Sequence, residues 1–468
     1  MNELGRLRRR TQAFVAIIAL GIASIVAIVP TASAAKPKCF GRRATIVGTR
    51  GDDQLTGTNG RDVIVAKRGN DTIDARGGRD FICAGRGGFD VVFAGNGNDR
   101  IDGEQGFDVI FPGLGDDFVN GGPGPGAFVT YEGSSTAINA NLRSGLITGQ
   151  GRDRVLNVDG VGGSEAGDVL LGTNDFNDLE GFGGDDVIRA RGGDFDFISA
   201  GAGNDTVSGG NGIDVLDHVV AHGGPGIGDD VLATSGVAID MTLGTAVGGS
   251  DVGTDTFTSI EETGATLGND TVIGTDGDDF IATWDGTDDI QAGDGDDILV
   301  PGPGDDTADG GDGDDGVDFF LSHPFEPGMD GPVNVDLGAQ TATGQGTDAL
   351  TSIEGAAGTL LDDILVGSNG NNSLLLGDEG SDTISGEAGD DFLDGDAFFF
   401  GLDENLPGSD TLDGGPDNDT CLGGETNTNC EMLEVAQQGS RGLRGSALAH
   451  HSLRRMLLHQ YRPMRLFR

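Results

Sequence analysis

Residues 48–120 say one thing eight times, and that repetition limits the fold more than any other feature of the chain. Cut in nines they read GTRGDDQLT, GTNGRDVIV, AKRGNDTID, ARGGRDFIC, GRGGFDVVF, AGNGNDRID, GEQGFDVIF and PGLGDDFVN, with Ala84 alone out of frame. Every unit has Gly at its fourth place and Asp at its sixth. The eighth place is aliphatic: Leu55, Ile64, Ile73, Ile82, Val92, Ile101, Ile110 and Val119. A fixed short period means a stacked repeat, in which each unit buries its apolar residue only against its neighbours.

The first six places are turn chemistry, since glycine reaches positive φ without a Cβ clash. The last three form a minimal strand whose middle residue points to one side and its neighbours to the other. Two units then make one turn of a flattened coil, with a short strand on each of two sheets and the eighth places facing inward. Units two apart stack on the same edge at about one strand spacing, ~4.8 Å. Asp53 therefore lies over Asp71, and Asp62 over Asp80. Carboxylates stacked this closely repel one another. A hard divalent cation resolves the repulsion, because calcium accepts six to eight carboxylate and carbonyl oxygens in flexible geometry, whereas magnesium demands a strict octahedron.

These units resemble the RTX (repeat-in-toxin, hemolysin-type) calcium-binding nonapeptide, G-G-x-G-x-D-x-U-x. The resemblance implies an all-β fold, a right-handed parallel β-roll or β-solenoid, with Ca2+ between successive turns on each edge. The second place departs from the pattern, with Thr58, Lys67, Arg76 and Glu104 in place of Gly. The candidate metal ligands in this first array are Asp53, Asp62, Asp71, Asp80, Asp90, Asp99, Asp108 and Asp117.

The period returns three times. Residues 163–217 supply Asp186, Asp196, Asp205 and Asp214, with Asn177 where an aspartate would stand. Residues 265–318 supply Asp270, Asp279, Asp288, Asp297, Asp306 and Asp315, and are the most acidic stretch. Residues 358–431 supply Asp363, Asp382, Asp391, Asp410 and Asp419, interrupted by a loop at 395–407. Neighbouring units two apart would form on the order of 16 calcium sites over the four arrays. The tightest are expected at 274–318.

Between the arrays lie spacers at 123–162, 218–264 and 319–357, which resemble one another. Leu142, TGQG, Asp153, Val158 and Asp159 in the first match Leu337, TGQG, Asp348, Ile353 and Glu354 in the third. Asp255, Ile260 and Glu261 follow Leu243 in the second. Alternation such as Val333-Asn334-Val335-Asp336-Leu337 reads as a strand with one buried face. The spacers have too few apolar residues for cores of their own, so they are expected to add longer strands that continue the solenoid.

The remaining segments bear on compartment and charge. Residues 1–34 join a basic start, an apolar run and Ala32-Ser33-Ala34, which reads as a secretory signal cut after Ala34; retention as a membrane anchor is the alternative. No transmembrane segment is expected in the mature chain. The chain carries 77 Asp and Glu against 28 Lys and Arg, a net charge of −49, which calls for bound cations and argues against nucleic acid as a partner. Without calcium the chain is expected to be disordered, because metal binding and folding are coupled in such sites. Four cysteines allow three pairings. Cys421 and Cys430 fall at the eighth places of adjacent units, and Cys39 precedes the array that holds Cys83. Cys39–Cys83 and Cys421–Cys430 are favoured, one staple near each end; free buried thiols are the alternative. The first array with its N-terminal segment, 36–122, then reads as the capped end. Residues 432–468 form a basic tail, read either as a patch for an anionic surface or as a disordered end.

Nothing points to catalysis. HExxH and GxSxG are absent, and carboxylate pairs recur with the period, as cation ligands would. His218 and His222 are four apart on glycine-rich flanks, poor context for a metal site. Trp284, at a second place, is expected to cover an edge. The chain reads as a secreted or cell-surface calcium-binding roll that is not an enzyme, a structural or adhesive module with a cell-surface or polysaccharide partner. An extracellular calcium-buffering matrix protein and a hydrolase or toxin remnant are the alternatives.

Overall fold

The computed structural model describes residues 36–124, 126–218, 220–222, 230–320, 331–395, 409–423 and 426–430. The leader, the basic tail and nearly all of the 395–407 loop lie outside the described residues. The described elements are strands, and 39 of them belong to one continuous, mainly parallel sheet wound on itself. Among the described residues no helix is long and apolar enough to cross a membrane.

Each unit contributes a strand at places seven to nine. Gln54–Thr56 pairs in parallel with Thr72–Asp74, Leu55 opposite Ile73. Val63–Lys67 pairs with Phe81–Phe93, Ile64 opposite Ile82. Partners are 18 residues apart, so alternate units build two opposed faces, called here sheet I (from Gln54–Thr56) and sheet II (from Val63–Lys67). Eighth-place Ile64, Ile73, Ile82, Ile101, Ile110 and Val119 are fully buried between them. One apolar column runs from Ile64 to Cys421, and each buried Ile or Leu contributes about 2–3 kcal/mol. Ala84, the residue out of frame, is absorbed by a register shift between Arg86 and Phe89.

Stacking this tight requires the fourth-place glycines. Gly97 and Gly115 have φ of 145° and 146°. A Cβ on Gly97 would fall 1.5 Å from the Gly78 carbonyl oxygen, and one on Gly115 would fall 1.6 Å from that of Gly97. The loops nest backbone on backbone with no room for a side chain.

The spacers continue the roll, but not with longer strands. Each inserts a three-stranded antiparallel meander of three- to five-residue strands into sheet II alone. The first is Asn139–Asn141, Leu146–Thr148 and Arg152–Leu156. Its outer strands join the roll in parallel, Val155 opposite Val119 and Ala140 opposite Leu170. The second and third spacers do the same, with Phe257 opposite Val207 and Ile239 opposite Val272, then Leu350 opposite Ala308 and Val335 opposite Leu365. Sheet I closes directly across each spacer, through Val129 and Val161, Leu216 and Thr263, Val317 and Ala356. The strands are short because a polar residue turns the chain after each one begins. Asn141, Asp240 and Asp336 accept from the backbone N–H three residues on, at 3.1, 2.9 and 2.7 Å.

Both disulfides are formed, Cys39–Cys83 and Cys421–Cys430. The N-terminal hairpin Lys38–Cys39/Arg42–Arg43 lies on the outer face of sheet II. There Arg42 sits 4.3 Å over the Phe81 ring, and Arg100 sits 4.6 and 5.0 Å from the Phe40 and Phe118 rings. Two expectations are corrected. Cys430 is not at an inward strand place. The last strand, Thr426–Thr428, pairs with Thr411–Asp413 after a loop of only three residues, so Asn427 takes the inward place and Cys430 follows in the turn. Trp284 does not cover an edge. It is fully buried with Phe195, Phe197, Val215 and Phe280 in an apolar cluster of its own, outside the main column.

Candidate metal centres

The sixth-place aspartates line up as two ladders, one along each edge. On the edge leading into sheet I stand Asp53, Asp71, Asp90, Asp108, Asp196, Asp214, Asp279, Asp297, Asp315, Asp391 and Asp419. On the edge leading into sheet II stand Asp62, Asp80, Asp99, Asp117, Asp186, Asp205, Asp270, Asp288, Asp306, Asp363, Asp382 and Asp410. Most rungs follow one rule: Oδ1 accepts the backbone N–H of the aspartate one turn earlier. Asp53 N–H donates to Asp71 at 2.8 Å, Asp62 to Asp80 at 2.7 Å, Asp279 to Asp297 at 2.7 Å and Asp363 to Asp382 at 2.8 Å.

That rule leaves the second oxygen. Oδ2 of Asp71, Asp80, Asp99, Asp117, Asp186, Asp205, Asp288, Asp297, Asp306, Asp382 and Asp391 is buried with no hydrogen-bond partner. A buried carboxylate oxygen without a partner is costly, and a ladder of them needs a common solution. The oxygen does not point into empty apolar space. A Cβ built on first-place Gly181 would lie 2.4 Å from Asp186 Oδ2 and 2.2 Å from the Ala200 carbonyl oxygen. On Gly386 the same construction meets Asp391 Oδ2 at 2.4 Å and Gly414 O at 2.7 Å. On Gly377 it meets Asp382 Oδ2 at 2.4 Å and Gly395 O at 2.8 Å. Carboxylate and carbonyl converge on one small space at turn after turn. Among the described residues no three His, Cys, Asp or Glu side chains gather as a metal cluster, so backbone carbonyls must complete any coordination shell. One carboxylate arm plus carbonyls is the donor set of a hard oxygen-seeking cation, and it fits calcium.

The electrostatics agree. Burial, joined everywhere but at Asp99 by neighbouring carboxylates, pushes these aspartates far above the ordinary range. Asp71, Asp80 and Asp99 rise to about 6, and Asp90 and Asp297 to about 7. Asp108, Asp117, Asp205, Asp214, Asp288 and Asp382 rise to about 8, and Asp186 to about 9. A nearby divalent cation reverses this, because it favours the charged form.

Two positions carry an amide instead. Asn177 Nδ2 donates to Asp175 O at 2.8 Å and Asp196 Oδ1 at 2.7 Å. Asn372 Nδ2 donates to Glu354 O at 3.1 Å. The amide makes contacts that a second carboxylate oxygen cannot, so neither rung needs an ion.

The ladders also hold residues that the period does not mark. Asp117 N–H donates to Asp153 at 2.8 Å, Asp205 to Asp255 at 2.9 Å and Asp306 to Asp348 at 3.2 Å, so each spacer supplies a rung. On the other edge Asp214 N–H donates to Glu261 Oε2 and Asp315 N–H to Glu354 Oε2, both at 3.0 Å. There a three-residue turn replaces the six-residue loop, and glutamate's extra methylene covers the added distance. Asp168, a sixth-place residue, also belongs, donating to Asp186 at 2.6 Å. The recurrent acids of the spacers were the signal for these rungs. Two spacer rungs meet a side chain at their second oxygen. Tyr131 donates its hydroxyl to Asp153 Oδ2 at 2.6 Å, and His218 Nε2 lies 3.5 Å from Asp255 Oδ2. His218 is thus packed against the ladder, while the side chain of His222 lies outside the described residues.

A family model for the RTX calcium-binding nonapeptide repeat matches residues 43–73, 56–88, 84–110, 93–125, 162–194, 192–216, 265–299, 358–378, 374–398 and 406–428, together about half of the chain. No curated protein matches it.

Proposed function

The chain belongs to the RTX calcium-binding nonapeptide repeat family, and from that premise we propose that it is a secreted, calcium-dependent β-roll with a structural or adhesive role. One observation carries the reading: the buried Oδ2 atoms that recur along both edges, converging with a backbone carbonyl at the Asp186, Asp382 and Asp391 turns. Calcium bound there turns a self-repelling stack into a cross-linked one. The disulfides and the apolar leader fit an oxidising compartment outside the cell. No catalytic role is assigned, since most of the buried carboxylates recur with the period and hold a ladder place.

The adhesive reading is favoured over calcium buffering by the outer face of sheet II. Thr206 stands opposite Thr256 and Thr383 opposite Thr411, while Thr271 and Thr307 flank Asp289; all six threonines are exposed, a hydroxyl-bearing surface suited to a cell-surface or polysaccharide partner. The test is retention of the calcium-loaded protein on cell envelopes and on immobilised acidic and neutral polysaccharides. Retention in calcium and release by chelator are expected. A protein that loads with calcium but is retained by none of these surfaces contradicts the adhesive role.

A further inference from the structure

Charge is distributed very unevenly along this roll. Residues 36–100 carry 12 Lys and Arg against 8 Asp, while residues 265–318 carry 17 Asp and no basic residue. On the edge leading into sheet I, Arg50, Arg68 and Arg86 stack on three successive turns. The register follows from Lys67 opposite Gly85 and from Gly69 lying against Gly51. All three are exposed. Arg86 makes a loose contact with Glu104, Nε to Oε2 at 3.9 Å, and among the described residues Arg50 and Arg68 have no ion-pair partner.

The same edge of the third array carries the opposite sign. Asp278, Asp296 and Asp314 form an outer ladder in which each N–H donates to the carboxylate one turn earlier, at 3.0 and 3.1 Å. Asp294 stands opposite Asp312 at the third place. These carboxylates are exposed, unlike the sixth-place aspartates behind them, and stand outside the inner ladder.

Because one roll sets both stripes, they share one pitch, ~4.8 Å per turn. Arginines at that spacing meet aspartates at that spacing without slippage. Both stripes also lie on one edge. A two-fold axis perpendicular to it therefore sets the arginine stripe of each molecule against the aspartate stripe of the other at once, a closed and self-complementary contact. We propose that this edge joins two copies of the chain, Arg50, Arg68 and Arg86 of one molecule on the exposed aspartates of residues 276–314 of the second. The inference needs the folded roll but not an adhesive role, so the two fail separately.

The experiment is sedimentation velocity on the full chain at constant saturating calcium, with far-UV spectra confirming the fold of each variant. Wild type is expected to dimerise at low salt, with a dissociation constant rising about tenfold or more from 50 to 300 mM salt. R50E/R68E/R86E and D276K/D294K/D312K are each expected to be monomeric, because both contacts become like-charged. Mixed one to one, the two variants are expected to form a heterodimer, since both contacts are again opposite in sign. A monomeric wild type at low salt overturns the proposal. So do variants that self-associate like wild type, a mixture that stays monomeric, or a wild type that binds an anionic polysaccharide through these arginines without dimerising.

Discussion

Replacing Asp186 by Asn should have opposite effects on the metal-free and the calcium-loaded roll. Asp186 Oδ1 accepts Asp168 N–H at 2.6 Å, while Oδ2 is buried without a partner. Burial first, then the Asp205, Asp168 and Asp185 carboxylates, raise this group from the ordinary 3.8 to about 9. A raised folded-state value means that its contribution is fully present below pH 3.8 and is lost as pH rises through 9. At pH 7.5, about 3.7 units above the unfolded value and at about 1.36 kcal/mol per unit, the loss is on the order of 5 kcal/mol. Asn carries no charge and can place its amide as Asn177 does, on a neighbouring carbonyl and carboxylate. In chelator, the strand signal of wild type should appear on acidification and fade as pH rises through 6 to 9, and Asp186→Asn should carry it to higher pH. In calcium at pH 7.5, the variant should need about tenfold more metal for half-maximal folding, because a charged ligand is gone. Circular dichroism over a grid of pH and free calcium reads both. A variant that is weaker under both conditions refutes the reasoning, since it would make the carboxylate only a structural acceptor.

Asp297→Ala should raise the calcium midpoint more than Asn177→Ala does, because Asp297 presents a buried unpartnered Oδ2 and Asn177 an amide already bonded; equal shifts in a calcium titration would count against the ladder assignment. Gly115→Ala should cost more than about 2 kcal/mol in calcium-loaded unfolding, since its Cβ would fall 1.6 Å from the Gly97 carbonyl oxygen at positive φ. Gly51→Ala, whose Cβ meets open space, should be close to neutral in the same assay. Removing the Cys421–Cys430 disulfide, which closes a span of 9 residues, should cost about 3 kcal/mol. Hydrogen exchange should localise that loss to the last strands and leave 48–120 protected.

Much of this architecture is legible in the chain because one number governs it. A period of nine, doubled, sets Leu55 on Ile73 and Asp53 on Asp71, and separates the inward eighth place from the charged sixth. Where the period lapses, its reach ends. Asp153, Asp255 and Asp348 lie 36, 50 and 42 residues from the rungs they receive, a separation that only the antiparallel meander closes. Glu261 and Glu354 join through a shortened turn with a longer side chain, which an aspartate pattern cannot mark. Cys430 keeps the nine-residue spacing from Cys421 but not its meaning, because strand pairing with Thr411–Asp413 shortens the last loop. Trp284 holds a turn place in the frame, yet its φ of 62° and full burial reflect aromatic packing outside the main column, which local periodicity does not encode.

Calcium titration of the metal-stripped chain at pH 7.5, followed by far-UV circular dichroism, tests the central claim most directly. The ladders predict a largely unfolded chain in chelator and a cooperative rise of strand signal with calcium, which magnesium at the same concentration does not reproduce. A strand signal already complete in chelator and unmoved by calcium would contradict the account.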